Sequence, residues 1–174
     1  FVSGGAKNGK SGFAQDLAVK LAGGGKRYYV ATMIPVDEED RERIRRHIAD
    51  RDGMDFETVE CGRDILSCLD RVDRHGSFLL DSATALLMNE LFLPPDWRMD
   101  VAAGEGCGDD IVTFARSVDN IVIVSDYIYS DAIRYDETTE TYRRLLAGID
   151  RKIAGVSDVV LELSAGNRIV HKGE

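Results

Sequence analysis

Cysteine is scarce: Cys61, Cys68 and Cys107 occur without any C-x-x-C spacing. An odd number so spaced suggests neither a disulfide framework nor a zinc site, and the three read as buried or idle thiols in a reducing compartment. Positive charge is also short, with 22 Lys and Arg against 31 Asp and Glu and a formal net charge of −9. Binding along a nucleic-acid backbone runs on basic surfaces that release counterions, so that partner class, and a helicase with it, is disfavoured. No stretch approaches the ~20 apolar residues of a membrane span and no signal-peptide pattern opens the chain, which points to the cytoplasm. The sequence starts at Phe1 within a strand-like run, not at a methionine, so a few upstream residues are expected to be missing.

What remains is ordinary globular material: 174 residues, 44% hydrophobic and 30% charged, enough for one domain, residues 1–174, with its own core. Runs rich in β-branched and aromatic residues alternate with helix-patterned segments, which predicts an α/β fold with a mostly parallel sheet flanked by helices. Strands are expected at Phe1–Ser3, Arg27–Ala31, Phe56–Glu60, Phe78–Leu80, Ile121–Val124 and Val159–Leu163, with Ile169–His171 closing a C-terminal β-hairpin after the Ser164–Asn167 turn. Helices are expected at Ser11–Leu21, Glu38–Asp50, Ile65–Val72, Ala83–Leu91 and Thr138–Ala154. Pro94–Asp109, with its Pro94-Pro95 pair and Gly104, Gly106 and Gly108, reads as a mobile surface loop.

The sharpest signal is Gly4-Gly5-Ala6-Lys7-Asn8-Gly9-Lys10-Ser11, which fits G-x-x-x-x-G-K-[ST] between a strand and an amphipathic helix. Glycines let such a P-loop turn until its N–H groups and the helix N-terminus converge on phosphate oxygens. Lys10 then neutralises β/γ-phosphate charge, and the Ser11 hydroxyl suits Mg²⁺ accompanying GTP or ATP. The expected fold is therefore of P-loop NTPase type. Asp81 ends an apolar strand at the sheet edge where ligands bind, and can support the metal or orient the attacking group. As an alternative it caps the helix that follows.

Glu38–Arg51 reads as a helix with acidic residues early and arginines late, its apolar seam made by Ile44 and Ile48. His47 should share or border that seam. Imidazole beside arginines suits phosphate recognition and covalent nucleotidyl transfer; a solvated edge-of-core histidine is the alternative.

Taken together, Ser3–Ser11, Tyr29-Val30-Ala31-Thr32, Arg43-Ile44-Arg45-Arg46-His47 and Thr58-Val59-Glu60 resemble the bifunctional adenosylcobinamide kinase and adenosylcobinamide-phosphate guanylyltransferase family, in order and in spacing. Leu79-Leu80-Asp81 and Met88-Asn89-Glu90-Leu91 extend the similarity, which covers nearly the whole chain. The resemblance implies Mg²⁺-dependent phosphorylation of the cobinamide aminopropanol hydroxyl, then GMP transfer from GTP through a covalent GMP on His47. It also implies that Gly4–Ser11 holds the phosphates, that Thr32, Arg51, Glu60 and Asp81 line the guanine nucleotide site, and that the chain forms a homo-oligomer, a trimer in the family.

Departures cluster late. Ser125-Asp126-Tyr127-Ile128-Tyr129 stands where the family has Ser/Thr-Asn-Glu-Val-Gly, the Gly and Pro-Glu positions beyond are replaced within Ser130–Tyr135, and Asp150-Arg151 replaces an Asn-Gln pair. A lost glycine removes backbone freedom, and Tyr for Glu removes a charge. Two other readings therefore stay open: a divergent P-loop small-molecule kinase without guanylyl transfer, and a nucleotide-binding protein without turnover.

Overall fold

The computed structural model describes residues 1–173. In chain order its elements are β1 (Val2–Gly4), α1 (Lys10–Ala22), β2 (Arg27–Ala31), α2 (Glu38–Asp50), β3 (Phe56–Glu60), a 3₁₀ turn (Ile65–Asp70), β4 (Ser77–Asp81), α3 (Ala83–Leu91), β5 (Phe92–Leu93), β6 (Arg98–Met99), α4 (Val101–Arg116), β7 (Asn120–Asp126), α5 (Glu137–Val156), β8 (Val160–Ser164) and β9 (Asn167–Lys172). Seven strands form one sheet in the order β3-β2-β4-β7-β1-β8-β9, parallel except for β9. The expected α/β architecture and C-terminal hairpin are both present. Ala165 and Gly166 turn that hairpin with φ of 49° and 76°, the two positive values that a type I′ turn requires.

Two apolar layers hold the sheet. Val2, Leu79, Val122, Val124 and Leu163 pack against Ala14 and Ala18 of α1 on one face. On the other, Tyr28, Phe78, Leu80 and Ile123 meet α3, α4 and α5 through Leu87, Phe114 and Leu146. Phe78 stacks on Tyr28 at 4.9 Å between centroids and takes Phe114 edge-on at 5.7 Å. The alternation of faces along each strand fixes which residues look toward α1, and so which reach the site.

Three local expectations are corrected. Pro94–Asp109 is no loop: a short β5/β6 hairpin carries the prolines, and α4 begins at Val101 with Asp100 accepting from the Ala103 N–H at 3.1 Å. Its glycines allow close helix packing. A Cβ on Gly104 would stand 2.8 Å from Leu91 Cδ1 and 3.0 Å from Leu145 Cδ1, and one on Gly108 would stand 3.1 Å from Ile149 Cγ1. Ile65–Asp70 is a 3₁₀ turn and not an α-helix, closed by Ser67 N to Asp64 O and Arg71 N to Cys68 O at 3.0 Å each. Cys61 and Cys68, expected as separate thiols, bring their sulfur atoms together across it, with Cα atoms 6.6 Å apart. Cys107 alone is free and buried, and burial pushes its thiol up to about 12, which keeps it inert.

Because α4 anchors the lower layer through a fully buried ring, Phe114→Ala is expected to cost about 3–5 kcal/mol of stability in urea unfolding. A loss below about 1 kcal/mol would mean that residues 101–116 do not pack as a helix.

Candidate active site: a phosphate loop beside a histidine cleft

Helix α1 differs from every other α-helix among the described residues. Asp37, Ser82, Asp100 and Asp136 each accept a backbone N–H at the start of α2, α3, α4 and α5. At the start of α1 stands Gly9 with φ 79° and no side-chain cap, and no acidic residue occupies the first turn. Its terminal N–H groups are left for an external anion. Upstream, the backbone turns so tightly that a Cβ on Gly4 would lie 2.5 Å from the Leu163 carbonyl oxygen. Only glycine fits there. Gly5, Ala6, Lys7 and Asn8 complete the loop, with Lys7 at φ 60°, and Ser11 sits half-buried one residue into the helix.

Lys10 is 5% exposed, its Nζ donating to the Gly5 carbonyl at 2.7 Å and paired with Asp126 Oδ1 at 2.5 Å. Asp126 lies at the end of β7, in register with Gly4. Its own N–H is held by Thr84 Oγ1 at 2.8 Å. The sequence marked this position only as a departure from the resembling family and assigned it to no site. Its place beside the lysine depends on β7 neighbouring β1, which local sequence does not reveal.

On the same face of the sheet, α2 leans over β2 and β3 and leaves a cleft of about 560 Å³. Ile44, His47, Ile48 and Arg51 line its roof, one helical stripe at the i, i+3, i+4, i+7 spacing. Tyr29, Glu60 and Asp81 line its floor. Arg51, 7% exposed, stacks its guanidinium 3.7 Å over the Tyr29 ring and donates to His47 O at 2.7 Å and to Thr58 Oγ1 at 3.2 Å. The Tyr29 hydroxyl donates to Asp81 Oδ2 at 2.9 Å. Burial, with Asp81 beside it, raises the phenol's pKa far above its ordinary value, so it stays a donor. His47 Nδ1 is buried without a hydrogen bond, 3.9 Å from Asp81 Oδ2. That distance is too long for a hydrogen bond, but the ring faces the carboxylate.

Helix α3 takes Ser82 as its cap, accepting from Ala85 N at 3.2 Å, which leaves Asp81 free to face the cleft. Thr32 stands behind the cleft wall. Its hydroxyl donates to Ser82 O at 2.8 Å and accepts from Ser82 N at 2.7 Å, while Asn89 takes its carbonyl at 2.7 Å. Glu60 is exposed at the rim. Since β7 separates β4 from β1, Asp81 and the phosphate loop are about 10 Å apart across two strand spacings. The expected residues thus form two adjoining subsites, with Lys10, Ser11 and the loop in one and His47, Arg51, Glu60 and Asp81 in the other.

The altered segment after β7 is tied down by α5. Arg143, 8% exposed at its side chain, donates to the Ile128 and Ile133 carbonyls at 3.1 Å each and pairs with Asp131 and Glu140. Tyr129, where the resembling family has glycine, donates to Asp150 Oδ2 at 2.7 Å. Burial holds the Asp150 carboxyl above its ordinary range, against hydrogen bonds from Tyr129 and Ser125, and nearby Asp126 adds to the rise.

The family model described as cobinamide kinase / cobinamide phosphate guanyltransferase matches residues 1–170. A solved ATPase domain is similar over 99% of this chain and 75% of that one, at 11% identity and a TM-score of 0.55. The flagellar accessory protein FlaH from Methanocaldococcus jannaschii aligns over 99% of this chain and 77% of its own, at 12% identity and a TM-score of 0.49. At 11% identity the likeness to the ATPase domain bears on the fold alone, and that fold is of P-loop NTPase type. No curated protein matches in sequence.

A folded pKa raised above the unfolded value of about 3.9 gives stability that is complete below 3.9 and lost as pH rises through the folded value. Asp150→Asn, which cannot ionise, is therefore expected to gain stability relative to the parent chain as pH rises from about 3.5 to 7, read by chemical unfolding at fixed pH values. A difference independent of pH would show that Asp150 ionises freely in the fold.

Proposed function

We propose that this chain, which belongs to the cobinamide kinase / cobinamide phosphate guanyltransferase family, carries its two transfers on the two adjoining subsites. The observation that carries the reading is their shared face and sheet edge: an uncapped helix N-terminus with Lys10 on one side, and a histidine with an unpartnered buried nitrogen on the other. The loop N–H groups and Lys10 take the triphosphate of GTP or ATP. For phosphoryl transfer to the aminopropanol hydroxyl of adenosylcobinamide, positioning and charge neutralisation supply most of the catalysis. For guanylyl transfer, Asp81 faces Nδ1 of His47 and leaves Nε2 as the nucleophile. An N–P bond to the α-phosphorus of GTP forms as pyrophosphate leaves; a phosphate oxygen of adenosylcobinamide phosphate then takes the GMP and frees the imidazole. Arg51, Glu60 and Thr32 belong to the nucleotide wall in this reading. Arg51 binds directly, and Thr32 acts from behind by fixing Ser82.

Mg²⁺ fits the donors present. No group of three His, Cys, Asp or Glu side chains among the described residues encloses a metal. Ser11 offers the one hard oxygen that Mg²⁺ would take from the loop while phosphates and waters complete its shell, and Asp81, in the adjoining subsite, would act on a metal-bound water. Bound there with the nucleotide, it would neutralise β- and γ-phosphate charge. Assembly as a homo-oligomer, a trimer with sites near subunit contacts, and a cytoplasmic setting complete the proposal. No helix among the described residues is long and apolar enough to cross a membrane.

Mass spectrometry after incubation with Mg²⁺, GTP and adenosylcobinamide tests the reading. The parent chain is expected to give both phosphorylated and GMP-bearing cobinamide, and His47→Ala only the former. Lys10→Ala is expected to lower phosphorylation by about 10²–10³-fold through loss of a charge-stabilising donor. Phosphorylated product without GMP transfer in the parent chain would support the divergent kinase. Neither product despite GTP binding would leave a nucleotide-binding protein without turnover.

A further inference from the structure

Lys10 is the one P-loop side chain that must face the β/γ-phosphates, yet two acceptors already hold its ammonium, the Gly5 carbonyl at 2.7 Å and Asp126 Oδ1 at 2.5 Å. The second is a full negative charge inside the anion site. The backbone of Asp126 is held in place. Its backbone N–H is held by Thr84 at 2.8 Å, the next N–H donates to the Gly4 carbonyl at 3.3 Å, and the β1 register sets it directly beside the first loop glycine. Strand alternation sends Asp126 to the same face as Val124 and Asp81, the α1 face. The side chain is 35% exposed and therefore open to what enters the loop. A bare triphosphate arriving there brings like charge against this carboxylate and competes with it for the same ammonium. A triphosphate that carries a divalent cation brings the counter-charge with it, and the carboxylate then becomes an attractive partner for the metal or its waters.

We propose that Asp126 is a positioning residue that makes the phosphate loop selective for the metal-bound triphosphate: it keeps Lys10 neutralised in the nucleotide-free chain, opposes metal-free nucleotide, and is offset by the divalent cation. This rests on the magnesium–triphosphate reading above. The role differs from that of Asp81, which lies two strand spacings from the loop and takes the Tyr29 hydroxyl. It also differs from a purely structural ion pair, which would hold the loop equally for both nucleotide forms.

Calorimetric titration of the full chain with GTP and with ATP, each in excess EDTA and in excess Mg²⁺, separates the cases. The parent chain is expected to bind the metal-free nucleotides at least about tenfold more weakly than the magnesium complexes. Asp126→Asn is expected to close most of that gap, chiefly by about tenfold tighter metal-free binding, while Asp126→Glu, which keeps the charge, keeps the gap. Asp126→Ser carries the same comparison if the amide variant does not fold, as judged by circular dichroism. A parent gap that persists unchanged in the charge-removed variant, or that vanishes in Asp126→Glu, would overturn the role of Asp126 and leave the magnesium reading standing. Equal parent binding of both forms would overturn the magnesium reading and this inference together.

Discussion

The site depends on one helix being left unfinished. Each helix start carries N–H groups that have no partner within the helix, and the other α-helices of this chain end that deficit with a side chain of their own. Helix α1 has a left-handed glycine there and nothing to accept its N–H groups, so it concentrates unsatisfied donors at the C-terminal edge of the sheet. The loop leading into it runs so close to β8 that no side chain fits at Gly4. Stability is given up at the one point where anion binding can restore it. In the proposed function this gap holds the nucleoside triphosphate.

The second constraint is the looseness of α2. No residue of that helix is buried, and its two isoleucines line the cleft without sealing it. Arg51 bridges the space by laying its guanidinium on Tyr29 and gripping the backbone of His47, so the histidine is held in place through an arginine. A tighter helix would have filled the cleft. The geometry explains how an imidazole and a carboxylate can face each other in a protected space while the cleft stays large enough for a nucleotide.

Most strands and the signature loop were legible because their signals are local: β-branched runs of five residues, a Gly-x-x-x-x-Gly-Lys-Ser spacing, and a turn whose two central residues take positive φ. Position 47 was legible for the same reason, since helical spacing from Ile44 sets its face. Helix α4 was hidden by its own packing device. Gly104 and Gly108 look like flexibility in one dimension and are close contacts with Leu91, Leu145 and Ile149 in three. The meeting of Cys61 and Cys68 was hidden because their seven-residue separation matches no short motif. Thr32 shows another limit, for a hydroxyl near a site can be wholly occupied by the backbone that shapes it.

Strand order hid the remaining residue. Asp126 and Lys10 are 116 positions apart, and only the insertion of β7 between β4 and β1 makes them partners. The same strand end carries a second carboxylate behind it. Asp150 reaches Ser125 and Tyr129 from the α5 side of the sheet, and burial together with the nearby Asp126 charge favours its neutral form. The two carboxyl groups have different surroundings: Asp126 meets an ammonium on the open side, and Asp150 meets a phenol donor on the buried side. A tyrosine in place of a glycine supplies Asp150 with a donor, and that hydrogen bond opposes the rise that burial and the nearby Asp126 impose.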